Sequence, residues 1–395
     1  MKTFRKILAL ALTAALAAVL ILAVFPARKV QAAAAVTFGD NCQVTEDADG
    51  NRVVSKVDTS LPASFTKDQF EANVWDCGSP IATTRTITVK DGIKLNDTEF
   101  AQVFYTDDED FQLESIDLSG LDTSDVTAMN YLFNNQRGLT EIKLGGYFTT
   151  ANVVYMRGMF AGCDALTTLD VSVLDTSSAE DMAYMFQDCT DLTSLDVSGF
   201  NTAKAENMSY MFQYCMSLTS LDVSGFNTAK AENMEGMFSF CSDLTSLDLS
   251  SFNTSSVNYM TNMFWGCEGL TSLNVSSFDT SKVSYMDFMF AMCSNLKTLD
   301  ISSFDTSAAT ITGAMFCLCD NLETIYASDS FSVTPAGYDT RYMFDSCPKL
   351  TGYAGTSYDA DHVNEDGACI DKKDGTTWGV DKGYFTDKAK LAEDK

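Results

Sequence analysis

The sequence predicts an α/β solenoid: a rod of stacked 26-residue coils, each a short parallel strand, a turn and a short helix, closed by a cap at either end. Three observations predict it. Leucines that open a unit recur at Leu113, Leu139, Leu166, Leu192, Leu218, Leu244, Leu270, Leu296, Leu322 and Leu350, in steps of 26 residues apart from one of 27 and a last of 28. A fixed period of this length is the mark of a repeat architecture. The stretch LTSLDVSGFNTAKAENM stands unchanged at 192–208 and 218–234, which tandem duplication explains and chance does not. Each unit also carries two apolar periods, one after the other.

The first period is two. In Leu192-Thr193-Ser194-Leu195-Asp196-Val197-Ser198, Leu195 and Val197 alternate with polar residues, as in a strand with one buried face. The second period is helical. Met208, Met211, Phe212 and Cys215 fall at i, i+3, i+4 and i+7, one face of a two-turn helix. Gly199 to Lys204 reads as the turn between them, with Phe200 as an apolar plug. One coil cannot bury its apolar face alone, so coils stack and share a core. Parallel strands at about 4.8 Å per coil make nine or ten coils a rod on the order of 45 Å long.

The ends need covers, because open sheet edges pair with other chains. Residues 33–112 read as an N-terminal cap grading into a degenerate first coil, with the strand-like Thr86-Ile87-Thr88-Val89 and Trp75. The repeat solenoid runs over 113–352. Residues 353–395 read as a C-terminal cap and tail, with Trp378, Tyr384 and Phe385 placed to cover the last coil and a disordered stretch from Asp387 to Lys395.

Residues 1–32 read as a secretion signal. Lys2, Arg5 and Lys6 precede the apolar run Ile7–Phe25, Pro26 breaks it, and Val30-Gln31-Ala32 forms a small-residue cleavage site. An uncleaved anchor is the other reading, since the run is just long enough to cross a bilayer. Formal charge is −28, and losing the five basic residues before Ala33 takes it to −33. A surface so acidic repels nucleic acid and anionic membranes and favours cationic partners. No hydrophobic, positively tailed sorting signal follows Lys382, so the expectation is a released protein, a noncovalently held one, or one whose anchor is missing from this sequence.

The unit L-x-x-L-D-x-S-x-F-x-T-S-x-x-x-x-M-x-x-M-F-x-x-C resembles the BspA-type leucine-rich-repeat surface proteins of bacteria. The resemblance covers roughly 113–352, with a family-like closing segment to about Phe385. It implies a leucine-rich-repeat-like fold and a secreted or cell-surface protein with adhesive roles, including binding of host matrix and plasma glycoproteins.

Eight of the 12 cysteines form a ladder: Cys163, Cys189, Cys215, Cys241, Cys267, Cys293, Cys319 and Cys347. An exported protein with an even count suggests disulfides. Each member, however, follows Met-Phe at one offset on the apolar face, so the expectation is a row of buried free thiols packed as small hydrophobes. Disulfides between adjacent rungs remain open, and metal binding is disfavoured because single repeated cysteines lack zinc-type clustering. Cys42 and Cys77 are the more plausible disulfide. Fifteen of the 18 methionines sit at the two helical repeat positions, and their spacing points to core rather than to a binding groove.

The candidate binding site is a strand-face stripe: Asp117, Asp170, Asp196, Asp222, Asp248 and Asp300, interrupted by Asn274, beside a row of serines two residues further on. Three readings compete. Each carboxylate accepts hydrogen bonds from local hydroxyls or turn backbone, in a solvated face. Or the stripe meets a basic partner, with weak calcium bridging of charges that otherwise repel. Or a pair about 5 Å apart hydrolyses a glycan. The last is weakest, because a catalytic pair needs two unlike environments and a ladder gives every rung the same one.

Other chemistry is sparse. His362 is the single histidine, and nothing singles out triad partners for it. No phosphate loop, zinc motif or EF-hand occurs, so no cofactor or metal is implied. The sequence therefore leads to a non-enzymatic, extracellular binding or adhesion scaffold for host or bacterial surface proteins. The alternative is a structural envelope component that self-associates without a foreign ligand.

Overall fold

The computed structural model describes residues 35–75, 85–106, 113–332, 340–372, 376–377 and 382–387. The proposed signal segment, Cys77, Trp378, residues 388–395 and the side chain of Trp75 lie outside them. The chain winds as a solenoid in which residues 26 apart stack: Thr168 pairs with Ser194, Thr298 with Thr324, and Asp181 with Asn207 and then Asn233.

At the N-terminal end three antiparallel strands, β1 (Val36–Phe38), β2 (Cys42–Glu46) and β3 (Asn51–Lys56), lead into parallel pairing. β4 (Ser64–Phe65) is followed by a single turn of helix, α1 (Lys67–Phe70), held by a capping box between Thr66 and Gln69. β5 (Thr86–Val89), β6 (Ile93–Leu95), β7 (Ser115–Asp117), β8 (Leu121–Asp122) and β9 (Glu141–Lys143) complete two sheets, β1-β2-β3-β5-β7-β9 and β4-β6-β8. The antiparallel hairpin covers the first parallel strand, so the sheet does not begin on a bare edge.

Through the repeats the strands are short. β10 (Thr168–Leu169) pairs with β11 (Ser194–Leu195), and β12 (Thr298–Asp300) with β13 (Thr324–Ala327). The equivalent segments after Leu218, Leu244 and Leu270 form no paired strands. The strand positions are thus those of the sequence pattern, while the expected continuous sheet is broken in the middle. At the C-terminal end β14 (Phe385–Asp387) adds in parallel to β13. Tyr384 and Phe385 are buried there, packed edge-on against Phe344.

The repeat helix does not form, and this corrects the α/β assignment. Among the described residues the helical elements are α1, a π-helical Glu71–Trp75 and a 3-10 turn at Glu365–Gly367, none in the repeats. In place of helix the Met208–Cys215 segment is a run of tight turns. Met211, Gln213 and Cys215 donate N–H to the carbonyls three residues back. Met208, Tyr210, Phe212 and Tyr214 donate instead to Asn233, Glu235, Met237 and Ser239 of the next coil, at 2.7–3.0 Å. Tyr210 and Tyr214 are left-handed, both at φ 58°. A left-handed residue every fourth position gives a period of four. Over eight residues that is the same apolar pattern as a helix of period 3.6, which is why the spacing misled.

The core is a set of columns. The 15 repeat methionines are fully buried, from Met129 to Met343. Phe104, Phe133, Phe160, Phe186, Phe212, Phe238, Phe264, Phe290, Phe316 and Phe344 stack face to face, with successive centroids 5.5–5.9 Å apart. Such a stack carries dispersion along the whole rod and couples each coil to its neighbours.

One coil step can be read at three depths. Tyr259 and Tyr285, on the turn side, lie 5.2 Å apart with rings 8° from parallel. Phe264 and Phe290 lie 5.7 Å apart. Phe252 and Phe278, next to the strands, lie 6.4 Å apart at 9°. Parallel rings at equivalent positions report the local coil-to-coil displacement. At this step the coils therefore stand closer on the turn side than beside the strands. The uniform 4.8 Å spacing expected of a continuous sheet does not hold.

Candidate binding faces

The strand side carries the acidic stripe. Asp170, Asp196, Asp222 and Asp248 are exposed; Asp117 and Asp300 are half-buried. Each is locally occupied. The Asp222 carboxylate accepts the Ser224 N–H at 3.0 Å and the Ser224 hydroxyl at 2.6 Å. The same loop closes on Asp117, Asp170 and Asp300 through Ser119, Ser172 and Ser302. Asp196 and Asp248 take the backbone N–H of Ser198 and Ser250, and Asn274 takes that of Ser276. Lys143 adds an ion pair to Asp117 at 2.9 Å.

These bonds set the electrostatics. The Ser224 hydroxyl and N–H hold Asp222 below the usual carboxylate range, against smaller opposing effects from Asp248 and Asp196. Asp170, Asp196 and Asp248 are lowered by the same local donors. At Asp117 burial pushes upward, but Ser119 and Lys143 together outweigh it. The relief that stacked like charges require is thus supplied by each rung's own serine.

A second row of the same kind escaped the sequence reading. Asp175, Asn201, Asn227, Asn253, Asp279 and Asp305 each accept the N–H two residues on. Beside them runs a buried threonine row that joins the coils. The Thr228 hydroxyl donates to the Asn253 carbonyl at 2.9 Å and accepts the Asn253 N–H at 2.8 Å. Thr176, Thr202, Thr254 and Thr280 repeat this pairing with the coil that follows. The hydroxyl is a spacer where the backbones stand too far apart to pair directly. The recurring F-x-T triplet was the signal, and its threonine was passed over as a turn residue.

The cysteine ladder is the spacer at the other corner. All eight members are buried free thiols, and each Sγ donates to the carbonyl of a phenylalanine in the preceding coil at 3.0–3.3 Å, as Cys241 does to Phe212. Burial pushes the Cys189 and Cys241 thiols up to about 12. Such thiols are poor nucleophiles and poor metal ligands. No group of three metal-binding side chains occurs among the described residues. Cys42 is a free buried thiol directed at the Asp40 and Ser64 carbonyls, and its suggested partner Cys77 is outside the described residues. His362 contacts Asp366 within the C-terminal segment, where Asp371 is buried and accepts from Ala354, Thr356 N–H and the Thr356 hydroxyl.

The turn side has different chemistry. Tyr155, Tyr259, Phe288, Leu318 and Tyr342 are exposed there. Tyr184 stacks on Tyr210 at 4.9 Å, and Tyr214 on Phe240 at 4.9 Å. Where the next coil has glycine, the ring lies over it: a Cβ on Gly236 would come within 2.3 Å of the Tyr210 ring. Arg157 is clasped in this face, 4.5 Å above the Tyr184 ring, with Nε 2.8 Å from the Tyr131 hydroxyl and Nη1 3.6 Å from Asp181.

Comparison with known proteins bears on the repeat region. The sequence family described as "Mycoplasma protein of unknown function, DUF285" matches over 98–217, 142–246, 191–273 and 233–357. The BspA-type repeat, roughly 113–352, falls inside that span. No curated protein matches. Among solved structures, a leucine-rich cell surface protein from Faecalibacterium prausnitzii aligns at 15% identity and a TM-score of 0.33, over 81% of this chain and 94% of its own. A leucine-rich repeat protein from Eubacterium ventriosum aligns at 16% identity and a TM-score of 0.25, over 81% and 97%. With most of its length matched by the family, the chain belongs to the proteins described as "Mycoplasma protein of unknown function, DUF285".

Proposed function

We propose that the chain is an exported bacterial surface or secreted repeat protein that works by binding, as an adhesion scaffold for extracellular proteins such as matrix or plasma glycoproteins, or for other bacterial surfaces. The observation that carries this reading is the evenly repeated, solvent-facing stripe of Asp170, Asp196, Asp222 and Asp248, each rung in the same setting. A repeated identical rung suits an extended contact and denies any one carboxylate the separate environment that acid–base catalysis needs. Export is supported by the signal-like text of residues 1–32. The working surface in this reading is the stripe from Asp117 to Asp300.

The test is binding of the chain lacking residues 1–32 to immobilised matrix and plasma glycoproteins, with and without calcium. A second sample carries Asp→Asn at all six stripe positions. Saturable binding that drops at least tenfold in the variant, with its circular dichroism unchanged, is the expected result. Self-association of the unmodified chain with no binding to the panel would replace this reading with an envelope role.

A further inference from the structure

Backbone pairing on the strand side joins β5, β7 and β9, joins β10 to β11, and joins β12, β13 and β14. From β11 to β12 it is missing at every coil step, from Ser194 through Ser220, Ser246 and Ser272 to Thr298. Among the described residues no amide of 220–223, 246–249 or 272–275 donates a hydrogen bond. Just ahead of the second of these, Thr245 N–H reaches the Thr219 carbonyl at 3.4 Å. Solvent reaches the inward leucines here. Leu221, Leu247 and Leu273 are 6–7% exposed, against 1% and 0% for Ile116 and Ile325, which lie in strands paired on both sides.

The turn side of the same coils is closed throughout. Met234, Gly236, Phe238 and Phe240 donate N–H to Tyr259, Thr261, Met263 and Trp265 at 2.6–3.0 Å, and the steps before and after repeat the pattern. The Thr228 hydroxyl and the Cys241 thiol add side-chain links. One side of each coil is therefore tied by backbone and the strand side is not, the arrangement of a row of hinges.

The inward strand position explains where pairing stops. It is Ile87, Ile116 and Ile142 in the N-terminal sheet and Ile325 in the C-terminal one, but Leu195, Leu221, Leu247 and Leu273 across the open steps. Leu169 and Leu299 stand at the margins, paired with Leu195 and Ile325. A β-branched side chain favours the extended, pleated backbone, and leucine does so less. The open coils thus lack the local preference that draws strands together, although pairing would give each bare amide a carbonyl.

We infer that the coils from Leu192 to Leu296 form a compliant section of the rod, in which neighbouring coils part and close on the strand side while the turn side acts as the hinge. Asp196, Asp222 and Asp248 ride on this section. On the binding reading of the stripe, on which this consequence rests, the spacing of the rungs adjusts to the partner. It is not fixed at the roughly 4.8 Å of a paired sheet.

Hydrogen exchange of the chain lacking residues 1–32, read by mass spectrometry with no partner present, tests the section apart from any binding by the stripe. Exchange in 220–223, 246–249 and 272–275 should be at least a hundredfold faster than in β7 and β13, while the turn segments 208–215 and 234–241 stay within tenfold of those strands. A variant with Leu221→Ile, Leu247→Ile and Leu273→Ile keeps the core volume. It should slow the three strand segments at least tenfold and leave the turn segments within twofold. Strand segments as slow as β7 and β13 in the unmodified chain overturn the inference, because the sheet is then already closed. Turn segments as fast as the strand segments overturn it too, because the coils then have no hinge. A variant that keeps its circular dichroism and shows no slowing also overturns it, because closure is then out of reach. If the variant does not fold, the comparison within the unmodified chain decides.

Discussion

The two sides of one coil are held by different means. On the turn side neighbouring backbones hydrogen-bond directly, and Tyr259 and Tyr285 stand 5.2 Å apart. On the loop side Phe252 and Phe278 stand 6.4 Å apart and threonine hydroxyls do the joining, while cysteine thiols at the ends of the turn segments add a further side-chain link, as from Cys241 to the Phe212 carbonyl. The difference teaches that in this repeat the polar and sulfur side chains at fixed positions are structural connectors. What looks like a candidate site in such a sequence has first to be asked what it joins.

The largest expected effect comes from the thiol corner. Cysteine pKa values are raised in the folded state, to about 12 at Cys189 and Cys241, from an ordinary value of 9.0. The folded state then holds protons that the unfolded state gives up. Stability from this source is complete below pH 9 and is lost progressively as pH rises from about 9 towards 12. The urea midpoint should fall steeply across that window, and more shallowly in a variant with Cys189, Cys215 and Cys241 changed to Ala. A midpoint flat to pH 11 would mean the thiols are not buried in solution.

The threonine corner is tested next. Thr228→Val keeps the volume but leaves both the Asn253 N–H and its carbonyl without their partner, which should cost about 2–4 kcal/mol. Thr228→Ser retains the hydroxyl and should cost about 1 kcal/mol. Similar losses for the two variants would show that packing, and not the spacer bond, matters there.

On the tight side, Gly236→Ala should destabilise by about 1–3 kcal/mol, from its left-handed backbone at φ 57° and the crowding of the Tyr210 ring. In the Tyr210→Ala background most of the crowding component should vanish, and a double-mutant cycle measures that. The smallest effect belongs to the stripe. Asp196→Asn should leave the unfolding midpoint at pH 7 unchanged, since asparagine at the equivalent Asn274 accepts the same serine N–H. Its trace should appear only in acid. The depressed carboxyl stabilises above the ordinary value of 3.8, and that contribution disappears as pH falls through the lower folded value.

Much of this was legible in the sequence. The 26-residue period and the inward set of Leu, Met, Phe and Cys follow from apolar spacing alone, because burial is what that spacing encodes, while the strands expected after Leu218, Leu244 and Leu270 do not form. The helix was not legible from spacing, since turns of period four and a helix of period 3.6 bury the same residues over eight positions. The warning lay in composition: Gly158, Gly162, Gly236, Gly266 and Asn262 fall within the supposed helix, and all have positive φ. The outward direction of the stripe follows from strand alternation, but its serine loops and the parallel row from Asp175 to Asp305 depend on backbone direction, which no periodicity records. The turn-face aromatics were hidden for the same reason, since Tyr210 and Tyr214 point outward only because their backbone is left-handed.

The threonine row also bears on the stiffness of the rod. A hydroxyl wedged between successive chains resists being squeezed and gives way when drawn apart, while the directly bonded turn side does neither easily. At the step from Tyr259 to Tyr285 the rings on the turn side consequently stand closer than those of Phe252 and Phe278 beside the strands. Tension that draws the coils apart has to lengthen the turn side, where every second backbone amide is tied to the next coil.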